Sequence, residues 1–125
     1  MRILLDTHIL IYAMVDDPRL SEVSRRLIVD PKNEAYLSLA SVWEIAIKVS
    51  IGKLRLGTYW SRSISDWIGR NQVQLLPIEW SHLTRVAGLA FHHSDPFDRL
   101  LVAQAIEEKL VLVSQDLRMA DYRAV

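Results

Sequence analysis

The sequence predicts a three-layer α/β/α sandwich with a central parallel sheet, formed as one domain over residues 1–125. Three observations carry the prediction. Short apolar runs alternate with longer amphipathic stretches along the whole chain. The clearest run, Ile3-Leu4-Leu5, has no polar alternation, which marks a strand buried on both faces. Strands separated by helices enter a sheet in parallel, and the crossing helices cover both of its faces.

The elements follow in order. Ile3 to Leu5 is the first strand, and His8 to Val15 is an apolar stretch that turns into a helix. Asp16-Asp17-Pro18 breaks that helix. Ser21 to Val29 is a second helix, capped by Ser21, and Pro31-Lys32-Asn33 is a turn. Ala35-Tyr36-Leu37 is the second strand. Ser41-Val42-Trp43-Glu44 then opens a strong helix that ends at Gly52. Tyr59 to Arg70 repeats Trp60, Ile64, Trp67 and Ile68 at helical spacing. Val73 to Ile78 is strand-like and is interrupted late by Pro77, and Ser81 to Ala90 is helical. A loop, His92-His93-Ser94-Asp95-Pro96, leads into a helix from Pro96 to Lys109 with proline at its first position. Leu110 to Val113 is the last strand.

Composition narrows the function. The chain is 50% hydrophobic and 24% charged, and it contains no cysteine. Disulfides and thiolate metal sites are thereby excluded. No apolar run approaches the roughly 18 residues that span a bilayer, and Met1 to Asp6 does not read as a signal peptide. A cytoplasmic protein without membrane association is expected. The net charge of zero argues against coating nucleic acid by bulk attraction. It permits a local basic rim, and residues 45–70 carry Lys48, Lys53, Arg55, Arg62 and Arg70 against Asp66.

Four acids stand where apolar segments begin or end: Asp6, Glu44, Asp98 and Asp116. Each has a structural explanation. Asp6 caps a helix starting near His8, Glu44 completes a capping box with Ser41, Asp98 lies in a first turn behind a cap at Asp95, and Asp116 opens a turn. Their conjunction is harder to explain structurally. Asp6 and Asp116 follow predicted strands, so both fall on the carboxyl edge of the sheet, where ligands of such folds gather. At about 6 Å and an effective dielectric near 20, one like-charge pair costs on the order of 3 kcal/mol. Such a group persists if it binds a cation or takes up protons. Oxygen ligands with no cysteine point to Mg²⁺ or Mn²⁺.

Other features are quieter. His92-His93 is an adjacent pair rather than the spaced helical pair of zinc hydrolases, and His8 and His82 are isolated. Trp43, Trp60, Trp67 and Trp80 suit a core or an interface better than a base-stacking platform. No phosphate-binding glycine loop or serine nucleophile elbow is present.

The segments Leu4-Leu5-Asp6-Thr7-His8, Ser41 to Lys48, Asp95 to Ala105 and Leu112 to Asp116, in this order and spacing, resemble PIN-domain proteins, and among them the VapC-type toxins of toxin–antitoxin pairs. The resemblance implies a PIN-like sandwich and a ribonuclease that cleaves RNA with a metal-activated water at a Mg²⁺ site, Mn²⁺ substituting. By position it assigns Asp6, Glu44, Asp98 and Asp116 to catalysis and metal binding, and Thr7 and Ser114 to supporting roles. Asp95 is an additional acid of the pattern, favoured as the helix cap. Lys48, Lys53 and Arg55 are candidates for the RNA backbone. The implied partners are RNA, a cognate antitoxin and a second copy in a homodimer. The competing readings are a PIN-type nuclease outside toxin–antitoxin pairs, acting on other RNA or on DNA, and an inert protein-interaction module whose acids are caps. A haloacid-type phosphatase would need an acid where His8 stands.

Overall fold

The computed structural model describes residues 1–90 and 94–116. Among these, β1 (Arg2–Leu5), β2 (Glu34–Ser38), β3 (Gln74–Leu76) and β4 (Val111–Val113) form one parallel sheet in the order β3-β2-β1-β4. Leu4 pairs with Tyr36 on one side and with Leu112 on the other, and Leu5 pairs with Val113. The central position of β1 explains its composition. Ile3, Leu4 and Leu5 are all fully buried, because both faces of the strand are covered.

The two faces are covered by different helices. Ile3, Leu5, Ala35, Leu37 and Val113 pack with Ile9 and Leu10 of α1 (Thr7–Met14), Ile45 of α3 (Leu39–Ser50), and Ile64 and Trp67 of α4 (Trp60–Arg70). Leu27 and Ile28 of α2 (Glu22–Val29) close that layer. Leu4, Leu76 and Leu112 point the other way, onto Leu101, Val102 and Ala105 of α6 (Pro96–Glu108). The helix α5 (Trp80–Ala87) packs on α6 from outside. This is the expected three-layer sandwich with its parallel sheet in the middle. The helix α6 is buried continuously from Arg99 to Ala105, which is why its sequence shows no single apolar stripe.

Local chemistry sets the ends. Ser21 accepts the Ser24 N–H and starts α2. Pro96 occupies the first turn of α6, and Lys109 closes that helix in the left-handed region at φ 56°. The strand β3 stops at Leu76, since Pro77 has no N–H to continue the ladder. The helix α5 stops at Ala87, short of the expected Ala90, with Gly88 as its C-cap. The larger departure is α3. It starts at Leu39, directly from the end of β2, with Ser38 as its cap accepting the Ala40 N–H at 3.0 Å. Ser41 therefore lies inside the first turn and Glu44 in mid-helix, so the capping-box explanation of Glu44 is wrong. Among the described residues no helix is long and apolar enough to cross a membrane.

Candidate active site

The sheet order creates the site. The chain runs outward from β1 to β2 and β3, then returns to place β4 on the opposite side of β1. Beyond the carboxyl ends of β1 and β4 the direction of winding reverses, and this is where open α/β sheets leave a crevice. The pairing of Leu5 with Val113 continues one step further, the Asp6 N–H donating to the Val113 carbonyl at 3.0 Å. Asp6 and Ser114 thereby come abreast, and the Ser114 hydroxyl donates to Asp6 Oδ2 at 2.8 Å. Ser114 Oγ also accepts the backbone N–H of Asp116 at 3.1 Å. One hydroxyl thus joins two of the four acids.

Asp6 stands at the N-cap position of α1, but its side chain makes no capping bond. It is 2% exposed, and its Oδ1 is buried without a hydrogen-bond partner. Burial pushes the Asp6 carboxyl above its ordinary range, against the lowering pull of Ser114 and His8, and the charge of Glu44 adds to the rise.

Glu44 arrives from the neighbouring strand. Ser38, Ser41 and Glu44 recur at intervals of three along one face of α3, and all three are buried. Thr7 Oγ1 donates to Ser41 Oγ at 2.9 Å, tying the start of α1 to α3. One turn on, Glu44 is 3% exposed. Its Oε2 accepts Lys48 Nζ at 2.7 Å, an i,i+4 pair on one helix face, while Oε1 is buried without a partner. Burial works to lower the Lys48 pKa, yet the Glu44 hydrogen bond and the charges of Glu44, Asp95 and Asp98 hold it above its ordinary value. Glu44 is therefore the common member: its charge reaches Asp6 on one side, and its bound ammonium feels the α6 acids on the other.

Asp95 caps α6, accepting the N–H groups of Phe97 at 2.9 Å and Asp98 at 3.1 Å. Asp98 lies half-buried in the first turn. Among the described residues, no three acidic or histidine side chains are spaced as a ready-made metal-ligand group. Instead an ammonium occupies the space beside Glu44. Lys53 and Arg55 are exposed beyond the end of α3, whereas Lys48 turns inward.

The unpartnered Asp6 Oδ1 and Glu44 Oε1 test whether a hard divalent cation fits. A buried carboxylate oxygen without a donor is costly to the fold, and an oxygen-only set without sulfur matches the chemistry of Mg²⁺ and Mn²⁺. The donors fit the ion.

Sequence reasoning missed two features. Ser41 and Ser38 were legible as a face leading to Glu44 through their spacing of three, but the capping-box pattern concealed them. His82 is a fully buried structural link: its Nδ1 accepts the Glu79 N–H at 2.9 Å, and its Nε2 meets Glu108 Oε2 at 2.7 Å. The His92-His93 pair lies outside the described residues. Of the tryptophans, Trp67 is core, whereas Trp43 and Trp80 are 56% and 85% exposed. Trp43 stacks edge-on against Phe97 at 5.0 Å. It belongs to an exposed apolar stripe, Leu39, Trp43, Ile47 and Ile51, along α3.

Residues 3–125 match the PIN domain family model. No curated protein matches the sequence. Among solved structures, the crystal structure of VapBC2 from Rickettsia felis bound to a DNA fragment from their promoter contains a chain of similar fold. The TM-score is 0.72 at 17% identity, covering 100% of this chain and 96% of that one.

Proposed function

The chain belongs to the PIN domain family of nucleases, and from that premise we propose that it is a Mg²⁺- or Mn²⁺-dependent endoribonuclease and the toxin of a toxin–antitoxin pair. One observation carries the catalytic part: Asp6 and Glu44 are buried at the carboxyl edge of the sheet, each with an oxygen that nothing in the fold satisfies. The toxin assignment is supported by the motif resemblance to VapC-type toxins and by the fold shared with a VapBC2 chain.

In this reading Asp6, Glu44, Asp98 and Asp116 hold the cation directly or through water. Bound there, a divalent ion supplies charge neutralisation for the scissile phosphate and an acidified water. Ser114 orients Asp6 and Asp116 relative to one another, and Thr7 locks α1 to α3 through Ser41 so that Asp6 and Glu44 keep their separation. Asp95 fixes the first turn of α6 and with it the backbone of Asp98. Lys53 and Arg55, exposed past α3, meet the RNA backbone. A homodimer and an antitoxin complete the proposal, and the apolar stripe on α3 supports a protein partner on that face.

Cleavage of a panel of structured RNAs, with single- and double-stranded DNA beside them, in Mg²⁺, Mn²⁺ or EDTA is the test. RNA cleavage with either metal and none in EDTA is expected. Equal cutting in EDTA overturns the cation, and cutting of DNA alone overturns the substrate.

A further inference from the structure

The salt bridge of Glu44 with Lys48 has two unequal members. The Glu44 side chain is 4% exposed and held in mid-helix, so its charge cannot reach water. The Lys48 side chain is 35% exposed, on a long flexible stem in the last turn of α3. Rotation of that stem returns the ammonium to solvent with no movement of the backbone. Glu44 must always have a counter-charge, because a buried carboxylate left alone is among the most costly groups in a fold. With Lys48 at 2.7 Å from Oε2, the fold already provides one. The charges of Asp95 and Asp98 act on the same ammonium, so it answers three acids at once. A divalent cation taking Glu44 as a ligand would stand beside that ammonium, and like charges at such separation in a low-dielectric site repel strongly.

We propose that Lys48 is the resident counter-cation of the acidic crevice, that it exchanges with the divalent cation at Glu44, and that this exchange sets the affinity for the ion. The inference rests on the cation-dependent reading above. It changes the part played by Lys48, from a contact to the RNA backbone to a positioning residue acting through Glu44. The exchange is local, since Glu44 and Lys48 share one helix and no second element need move.

The test is calorimetric titration of the full chain with Mn²⁺, comparing the unaltered protein with Lys48→Met, Lys48→Gln and Lys48→Arg. Removing the ammonium in the Met and Gln variants should tighten Mn²⁺ binding by about tenfold or more. It should also enlarge the rise in Tm that Mn²⁺ produces over EDTA. Lys48→Arg keeps the charge and should stay within about threefold of the unaltered protein. Binding by the Met and Gln variants that is equal or weaker overturns the exchange alone, provided the unaltered chain binds. Absence of binding in every form overturns the cation-dependent reading with it. The unaltered chain offers a readout that no folding defect can confuse: Mg²⁺ should shift the Lys48 Cε resonance and speed exchange of its ammonium protons. A resonance unmoved at saturating Mg²⁺ refutes the exchange.

Discussion

Ser114→Ala isolates the electrostatics of the crevice in a single atom. The Ser114 hydroxyl is the donor to Asp6 Oδ2, and Oδ1 already lacks a partner. The substitution therefore removes a side-chain donor from a carboxylate that is 2% exposed and leaves it the Thr7 backbone N–H. Hydrogen bonds to charged groups contribute about 1.5–3 kcal/mol. At 2.8 Å this one is longer than the shortest charge-assisted O–H···O⁻ contacts, and Ser114 is half-buried, so water can replace part of it. The expected loss once the folded Asp6 carboxyl has ionised is thus about 1.5–2 kcal/mol. The sign of the pH dependence follows from Asp6. Its folded pKa is raised above 3.8, so as pH rises from there the unfolded chain releases this proton first, and stability falls until the folded carboxyl has ionised too. Ser114 opposes that rise, so its removal lifts the folded pKa further and steepens the fall. Below the window Asp6 is neutral in both states, and the loss shrinks to about 1 kcal/mol, typical of a neutral pair. Urea denaturation of both proteins between about pH 3 and 8 measures this. A second arm repeats Ser114→Ala in an Asp6→Asn background, where the cost should be the neutral one at every pH. A loss independent of pH, or one as large in the Asp6→Asn background as in the unaltered chain, would refute the assignment of the bond to an ionised, buried carboxylate.

Other outcomes follow from the same geometry. Asp6→Asn should raise the stability of the chain at pH 7 in urea unfolding, by removing a group whose charged form is disfavoured by burial and by Glu44. The same substitution, and Asp98→Asn, should reduce RNA cleavage by more than the roughly 10–100-fold lost with an outer-shell partner of a metal site. Full activity in both variants sinks the catalytic assignment. Trp67→Ala should cost about 3–5 kcal/mol in urea unfolding, against less than about 0.5 kcal/mol for Trp80→Ala, because Trp67 is core and Trp80 is 85% exposed. Equal losses would contradict the division of the tryptophans. His82→Ala should cost about 2–4 kcal/mol, since it vacates a fully buried site and strips the Glu79 N–H and Glu108 of their shared partner. A hydrogen-exchange comparison should place the loosening at the contact of α5 with α6.

Much of this protein is written locally. The unbroken apolar run at Ile3 to Leu5 announced a strand with two covered faces. The repeat of Trp60, Ile64, Trp67 and Ile68 announced the inward stripe of α4. Asp95-Pro96 announced the start of α6, where Asp95 caps and proline needs no donor. These patterns repeat with the period of one strand or one helix, so neighbours in sequence suffice to read them. That Asp6 and Asp116 sit near one sheet edge followed from the same periods together with parallel connections.

What surrounds each acid was decided at long range. Ser114 meets Asp6 because β4 adds beside β1 rather than beyond β3, and no local pattern records strand order. It is a choice among closures of the whole chain, made by which faces bury best. Glu44 lost its capping-box explanation because α3 grows directly from Ser38, so the helix start was set by where the β2 ladder ends. Lys48 pairs with Glu44 at i,i+4 within α3, but the charges of Asp95 and Asp98 reach the same ammonium only because α6 packs against α3. Within one helix a charge finds its partner by the i,i+4 period, but between elements its partner is whatever the fold brings within a few ångströms. The sequence alone therefore supplied the layers and the acids, and the tertiary structure decided which donors and which ammonium those acids face.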